Sequence, residues 1–289
     1  MGTDTTGTPR GAGTPRGSGP PQGAPPGTGT TGTPPGTGTT GTTGTATTVV
    51  PLDSPALLRS LHRDVLEPSF PPAERTTEEE LLADHAAGRL RSLGVVEDGR
   101  VTAGVVGAWS PATRVLLVVY LAIAPGRRGS GVGGRLVAAA LDAWAEALDP
   151  VLAVGEVEHP AHHTASAAYG DPEARLRFYA RLGARVLDVP YFQPGGSPGG
   201  ERVPALLLVA LPLPGSAGGA TDAPGPPLRA FLEENLREHE GGVTGDRPTR
   251  ELLEAASGPR VALVDPADPV ALAAVPVAVL RDDELRAPA

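Results

Sequence analysis

Residues 115–134 read VLLVVYLAIAPGRRGSGVGG. From Val115 to Ile123 every residue is apolar or aromatic, with no alternation, which predicts a central strand covered on both faces. The turn that follows places glycines at 129, 131, 133 and 134 beside Arg127 and Arg128, and it feeds a helix from about 131 to 148. Glycine lets the backbone approach a ligand closely. The unpaired amides and the dipole of a helix start favour an anion, and arginine suits phosphate oxygens. Strand, glycine-rich turn and helix together make a pyrophosphate cradle.

Two readings of the turn need no family knowledge. A bare helix start explains four glycines beside two arginines poorly. A dinucleotide fold is formally allowed, because Gly129-x-Gly131-x-x-Gly134 satisfies its fingerprint and Glu156 could serve as the ribose-binding acid. On that reading the chain is an NAD(P) oxidoreductase built on the Gly129–Gly134 turn. Five residues between the strand and the first glycine oppose it, as does the antiparallel meander upstream.

That meander comprises strands near 89–96 and 101–109, joined by the hairpin signal Asp98-Gly99. Before it lie a short strand at 48–52, a helix opened by Ser54-Pro55 and another over 77–87 with Glu78, Glu79 and Glu80 in its first turn. The acidic triplet is most simply a helix start. After the turn come a buried strand at 151–157, a polar loop with His159, His162 and His163, and a helix capped by Asp171 and Pro172. Two strands, 184–189 and 203–211, follow.

With the order of elements in hand, Arg128-x-x-Gly131-x-Gly133 after a strand ending near Pro125 resembles the acyl-CoA loop of the GCN5-related N-acetyltransferases, the GNAT superfamily. Phe178-Tyr179-Ala180-Arg181-Leu182-Gly183-Ala184 resembles that family's second signature, with Ala184 where Phe is usual. The resemblance covers about residues 48–212. It implies an α/β (α+β) GNAT fold, whose mixed, mostly antiparallel sheet is flanked by helices and splayed between the fourth and fifth strands. It also implies acetyl-CoA as acyl donor, with the backbone of Leu121, Ala122 and Ile123 along the pantetheine. Arg128, Gly129, Ser130, Gly131, Val132, Gly133 and Gly134 would lie around the pyrophosphate. An amine acceptor then attacks the thioester directly. A non-catalytic acyl-CoA sensor of the same fold is the alternative within the family.

Direct transfer needs a base for the ammonium, a donor for the oxyanion and an acid for the thiolate. Tyr179 matches the family's proton-donating tyrosine; a phenol near pKa 10 stays protonated at neutral pH. Glu156 resembles the glutamate of protein N-terminal acetyltransferases on the same strand and is the expected base. Glu158, on the same face, is its substitute. A solvated strand end is the competing reading for both. About eleven more residues separate Glu156 from Tyr179 than in those enzymes, so a small-molecule amine is preferred over a protein acceptor. Tyr191-Phe192-Gln193-Pro194 follows the sixth strand, where packing is the simpler reading and reach into the acceptor pocket the alternative. Trp109 and Tyr120 read as core or cleft lining.

Composition bounds the rest. The chain has 289 residues, no Cys and a net charge of −9. No disulfide scaffold or thiolate metal site is available, and no nucleic-acid partner is expected. There is no lysine, so no Schiff base. The loop histidines lack a supporting thiolate, and no metal site is expected. No apolar run reaches the roughly 18 residues of a membrane span, and no signal peptide is visible, so a cytoplasmic location is expected. Thr, Gly and Pro fill 39 of residues 1–48, which predicts a disordered tail. The remaining division is an acetyltransferase domain over 49–212, a linker over 213–227, and a helical appendage over 228–289. Capping of the domain and self-association as a homodimer are both open for the appendage.

Overall fold

A computed structural model describes residues 48–127, 131–165, 170–215, 219–281 and 283–286. The expected disordered tail up to residue 47 lies outside them, as do Arg128, Gly129 and Ser130 of the turn.

The N-terminal half alternates as its sequence predicts. Strand β1 is Val49–Pro51. Helix α1, Pro55–Ser60, starts on Ser54, whose hydroxyl accepts from Leu57 N–H at 3.2 Å, and it widens into a π-helical segment over Leu61–Leu66. The sequence periodicity implied one uninterrupted helix here. Gly104 sits beneath the π segment: a Cβ at that position would lie 2.2 Å from Leu61 Cδ1, so glycine lets the helix rest on the sheet. A 3-10 turn at Pro72–Glu74 precedes α2, Glu78–Ala86. Thr77 and Glu80 form a reciprocal capping box, which accounts for one acid of the triplet.

The meander is β2, Leu90–Glu97, β3, Arg100–Ser110, and β4, Val115–Ile123. Asp98 and Gly99 both take positive φ, as the two-residue hairpin requires. Helix α3 is Val132–Leu148, β5 is Leu152–Glu158, and α4 is Pro172–Arg181, capped by Asp171. Strands β6, Arg185–Leu187, and β7, Leu206–Leu211, follow.

The C-terminal segment joins the same sheet. Strand β8, Asp222–Pro224, leads into α5, Gly225–Glu240, then α6, Arg247–Ala255, β9, Arg260–Val264, and α7, Pro269–Ala274. The strand order is β1-β2-β3-β4-β5-β7-β6-β9-β8. β9 pairs with both β6 and β8, so the segment expected as a helical appendage extends the sheet itself. All pairings are antiparallel except β4 with β5. Both margins are three-residue strands that end in proline, β1 at Pro51 and β8 at Pro224.

Each face buries a core. On one face α3 and α4 cover Leu116, Val118, Leu121, Ala153 and Val157. The other face has two helical layers. α1, its π segment and α2 pack over Val106, Val119 and Tyr120, while α5 and α6 pack over Leu152, Val154 and Leu208.

Candidate active site

The site forms where β4 and β5 part. Their parallel pairing runs from Val115 with Leu152 to Val118 with Gly155 and stops there. The register of β4 against β3 slips at the same level, leaving Val119 as an extra residue between Val118 and Tyr120. Beyond this bulge β4 remains paired with β3, and β5 with β7. The backbone of Leu121, Ala122 and Ile123 therefore has no strand partner on its β5 side. This is the splay that the family resemblance implies between the fourth and fifth strands.

The amide end of α3 faces the same region. Gly131 caps the helix with φ +70°, in the left-handed region that glycine adopts without cost. The first helical hydrogen bond of α3 runs from Arg135 N–H to Gly131 C=O, at 3.4 Å. The amides of Val132, Gly133 and Gly134 precede it and have no intrahelical acceptor. Gly133 packs the helix against its neighbours; a Cβ there would lie 3.5 Å from Ile123 Cδ1 and 3.6 Å from Phe178 Cε2. Arg127, expected to add charge to the cradle, instead pairs with Glu97 at 2.8 Å on the surface.

Tyr179 lies on the inner side of α4 and is 1% exposed. Its hydroxyl has no hydrogen-bond partner among the described residues, and burial pushes the phenol well above its ordinary value. An unsatisfied buried hydroxyl costs about 1–3 kcal/mol, so it marks a place where a polar ligand atom fits. Together with the open β4 edge and the free amides of α3, it fits the thiol end, arm and diphosphate of an acyl-CoA.

Glu156 is buried on the opposite face, with 4% exposure. It is no solvated strand end. Tyr191 donates its hydroxyl to Oε1, and Gln193 Nε2 donates to Oε2 at 2.9 Å. Desolvation raises its pKa to about 7, against the pull of those two donors. The Tyr191-Phe192-Gln193 stretch thus packs at a strand end and also holds the candidate base.

Glu158 shares that face but has a different role. Its carboxylate accepts from Arg175 Nη1 at 3.0 Å, with His163 Nδ1 at 3.9 Å. A buried ion pair of this kind leaves it poorly placed to replace Glu156 as base. Glu74, which the sequence did not single out, is also buried. Burial first, and the charge of Glu158 second, raise it to about 7, opposed by Arg175. The 3-10 turn that carries it is tied to the bulge: Tyr120 Oη accepts from Thr76 N–H at 2.9 Å and donates to Glu74 C=O at 3.3 Å. Arg175 was equally unsuspected, although its position one helical turn before Tyr179 places it on the same side of α4.

Two of the loop histidines are committed elsewhere. His159 Nδ1 accepts from Ala161 N–H at 3.1 Å, and His163 Nε2 bonds Pro204 C=O at 3.0 Å. No group of three metal-ligating side chains occurs among the described residues. Nor is any described helix long and apolar enough to cross a membrane.

Comparison with known proteins adds a family. The model of the acetyltransferase (GNAT) family matches residues 57–170. Among solved structures, a GNAT-family protein from Bacteroides thetaiotaomicron is 23% identical, covers 53% of this chain and 79% of its own, and has a TM-score of 0.42. The ribosomal-protein-S18-alanine N-acetyltransferase of Escherichia coli is 16% identical, with 60% of this chain and 97% of its own covered and a TM-score of 0.40. The aminoglycoside 6'-N-acetyltransferase of Enterococcus faecium is 12% identical, with 58% and 99% covered and a TM-score of 0.40. Likenesses at this level say nothing of which acceptor this chain uses. Comparison with curated proteins gives no match.

Proposed function

We propose, on the match of residues 57–170 to the acetyltransferase (GNAT) family, that the chain transfers the acetyl group of acetyl-CoA directly to the primary amine of a small molecule, with Glu156 as base and Tyr179 as acid. One observation carries the assignment of roles. Glu156, one residue beyond the last β4–β5 pair, and Tyr179, packed by α4 on the other face, are each buried and each perturbed upward by desolvation.

Bound acetyl-CoA supplies an activated acyl group on a thioester. The residues of the chain do the rest. Glu156, poised near neutrality, takes the proton that an ammonium must lose before its nitrogen can attack. Amides at the bulge, which lack a β5 partner, can donate to the developing oxyanion. Tyr179 holds a proton at any physiological pH and gives it to the leaving sulfur. The amides at 131–134, with Arg128 to Ser130 of the same turn, hold the diphosphate. A cytoplasmic supply of acetyl-CoA suits this reaction.

The oxidoreductase alternative lacks its frame. β4 and β5 are the only parallel pair among the described strands, and both carboxylate oxygens of Glu156 are taken up by donors from the stretch after β6, Tyr191 and Gln193.

Two measurements test the proposal. Titration calorimetry should give micromolar binding of acetyl-CoA and none of NADPH. A primary-amine library screened for thiol release should yield at least one acceptor. Absence of acetyl-CoA binding overturns the function; binding without turnover of any amine returns the chain to the sensor class.

A further inference from the structure

The face that carries Glu156 is roofed by two helical layers, α1 with α2 and α5 with α6. Between them, over β3 and β4, lies a cavity of about 220 Å³. Its floor includes Leu117 and Val119, the bulge residue. Its far wall is one side of α5, where Phe231, Glu234, Asn235 and Glu238 recur at helical spacing. A hydrogen-bond chain links its wall to the candidate base. Asn235 hydrogen-bonds the Tyr191 hydroxyl, which in turn donates to Glu156.

We propose that this cavity is the acceptor site, walled by α5 of the C-terminal segment, and that it takes a compact primary amine with an apolar body that enters as the ammonium ion. The inference rests on the acetyl-transfer reading above and adds where the acceptor binds and of what kind it is. Leu117, Val119 and Phe231 offer the apolar contact. The rim is acidic: Glu234 and Glu238 both face it, and the one cation among the described lining residues, Arg89, is paired with Asp84 through Nε at 3.0 Å. Burial lowers the pKa of His239, with the charge of Glu240 opposing it. The volume lies below the roughly 300–1,000 Å³ of sites for drug-sized ligands. A single ring or short alkyl chain fits such a space, and an extended peptide does not.

The probes are 2-phenylethylamine, pentylamine and a hexapeptide with a free N-terminus, each with acetyl-CoA and the full chain, followed by thiol release. The two amines should exceed the peptide in kcat/KM by at least tenfold. Ala108→Phe, which fills the cavity from β3, should raise the KM of both amines at least tenfold, with acetyl-CoA affinity by calorimetry unchanged. The double variant Glu234→Gln/Glu238→Gln alters side chains at the rim and keeps the fold. It should raise the amine KM several-fold and flatten its dependence on ionic strength. A preference for the peptide, no turnover of either amine by protein that binds acetyl-CoA, or an unchanged KM in the double variant overturns the inference. Loss of acetyl-CoA binding in the wild type would instead overturn the acetyl-transfer reading, so the two failures are separable.

Discussion

Tyr191 donates its hydroxyl hydrogen to Glu156, and this bond joins the end of β5 to the loop that follows β6. A carboxylate buried this deeply would ordinarily be held protonated up to high pH. Two donors, Tyr191 and Gln193, limit the rise to about 7, where a general base works best at physiological pH.

The pH dependence follows from that value. Turnover at saturating acetyl-CoA should climb as pH rises through about 7, as Glu156 loses its proton, and Glu156→Gln should abolish that limb and lower kcat by roughly 10²–10⁴-fold. Stability runs the other way. Between the unfolded value of 4.5 and the folded value of about 7 the native state binds the extra proton, so stability is highest below 4.5 and falls as pH rises through this window. At pH 8 Glu156→Gln should therefore be more stable than the wild type, by up to about 3 kcal/mol. Thermal melts at pH 4 and pH 8 check the sign.

For Tyr179 the expected signature is lost turnover without lost stability. Tyr179→Phe removes a buried hydroxyl that has no partner among the described residues. Its melting temperature should stay equal or rise, while kcat falls roughly 10²-fold and acetyl-CoA affinity holds. Wild-type turnover in this variant would leave Tyr179 a packing residue.

At the helix start two substitutions separate backbone from charge. Gly131→Ala forces a side chain into φ +70° and should cost about 1 kcal/mol in denaturant unfolding. Gly131→Glu adds an anion where the diphosphate would sit, and calorimetry should find no acetyl-CoA binding to a protein that remains folded.

A buried ion pair fixes the C-terminal segment. Arg202 donates from Nε to Glu240 Oε1 at 2.8 Å and from Nη2 to Oε2 at 2.6 Å, reaches Asp246 at 3.1 Å, and lies 4.7 Å over the Phe192 ring. Arg202→Met should destabilise by about 3–5 kcal/mol, because Glu240 is left charged and buried. Side-chain hydrogen bonds from Arg202 and Thr244 hold Asp246 at about 2 despite its burial. Its contribution is present above 3.8 and lost as pH falls from there towards 2, and acid unfolding of Asp246→Asn should lack that component.

Much of the frame was legible in the sequence because local rules decided it. Asp98-Gly99 made the hairpin, Asp171-Pro172 started α4, and the unbroken run from Val115 marked a strand buried on both faces. The π segment at Leu61–Leu66 escaped notice because its apolar spacing also suits an α-helix. What could not be read were contacts distant in sequence. Nothing local to Glu156 names Tyr191 or Gln193 as its donors, or Asn235 behind them. The return of β9 to pair with β6 likewise depends on packing, since a five-residue strand set between two helices has no local mark of its partner.

The short strands at the two margins have a consequence for assembly. Proline cannot donate a ladder hydrogen bond, and three residues offer little template. With Pro51 closing one border and Pro224 the other, a neighbouring copy has almost no backbone to zip onto. Edge-to-edge pairing of two copies at these two borders is thereby disfavoured, and concentrated solutions should resist fibrous association through them.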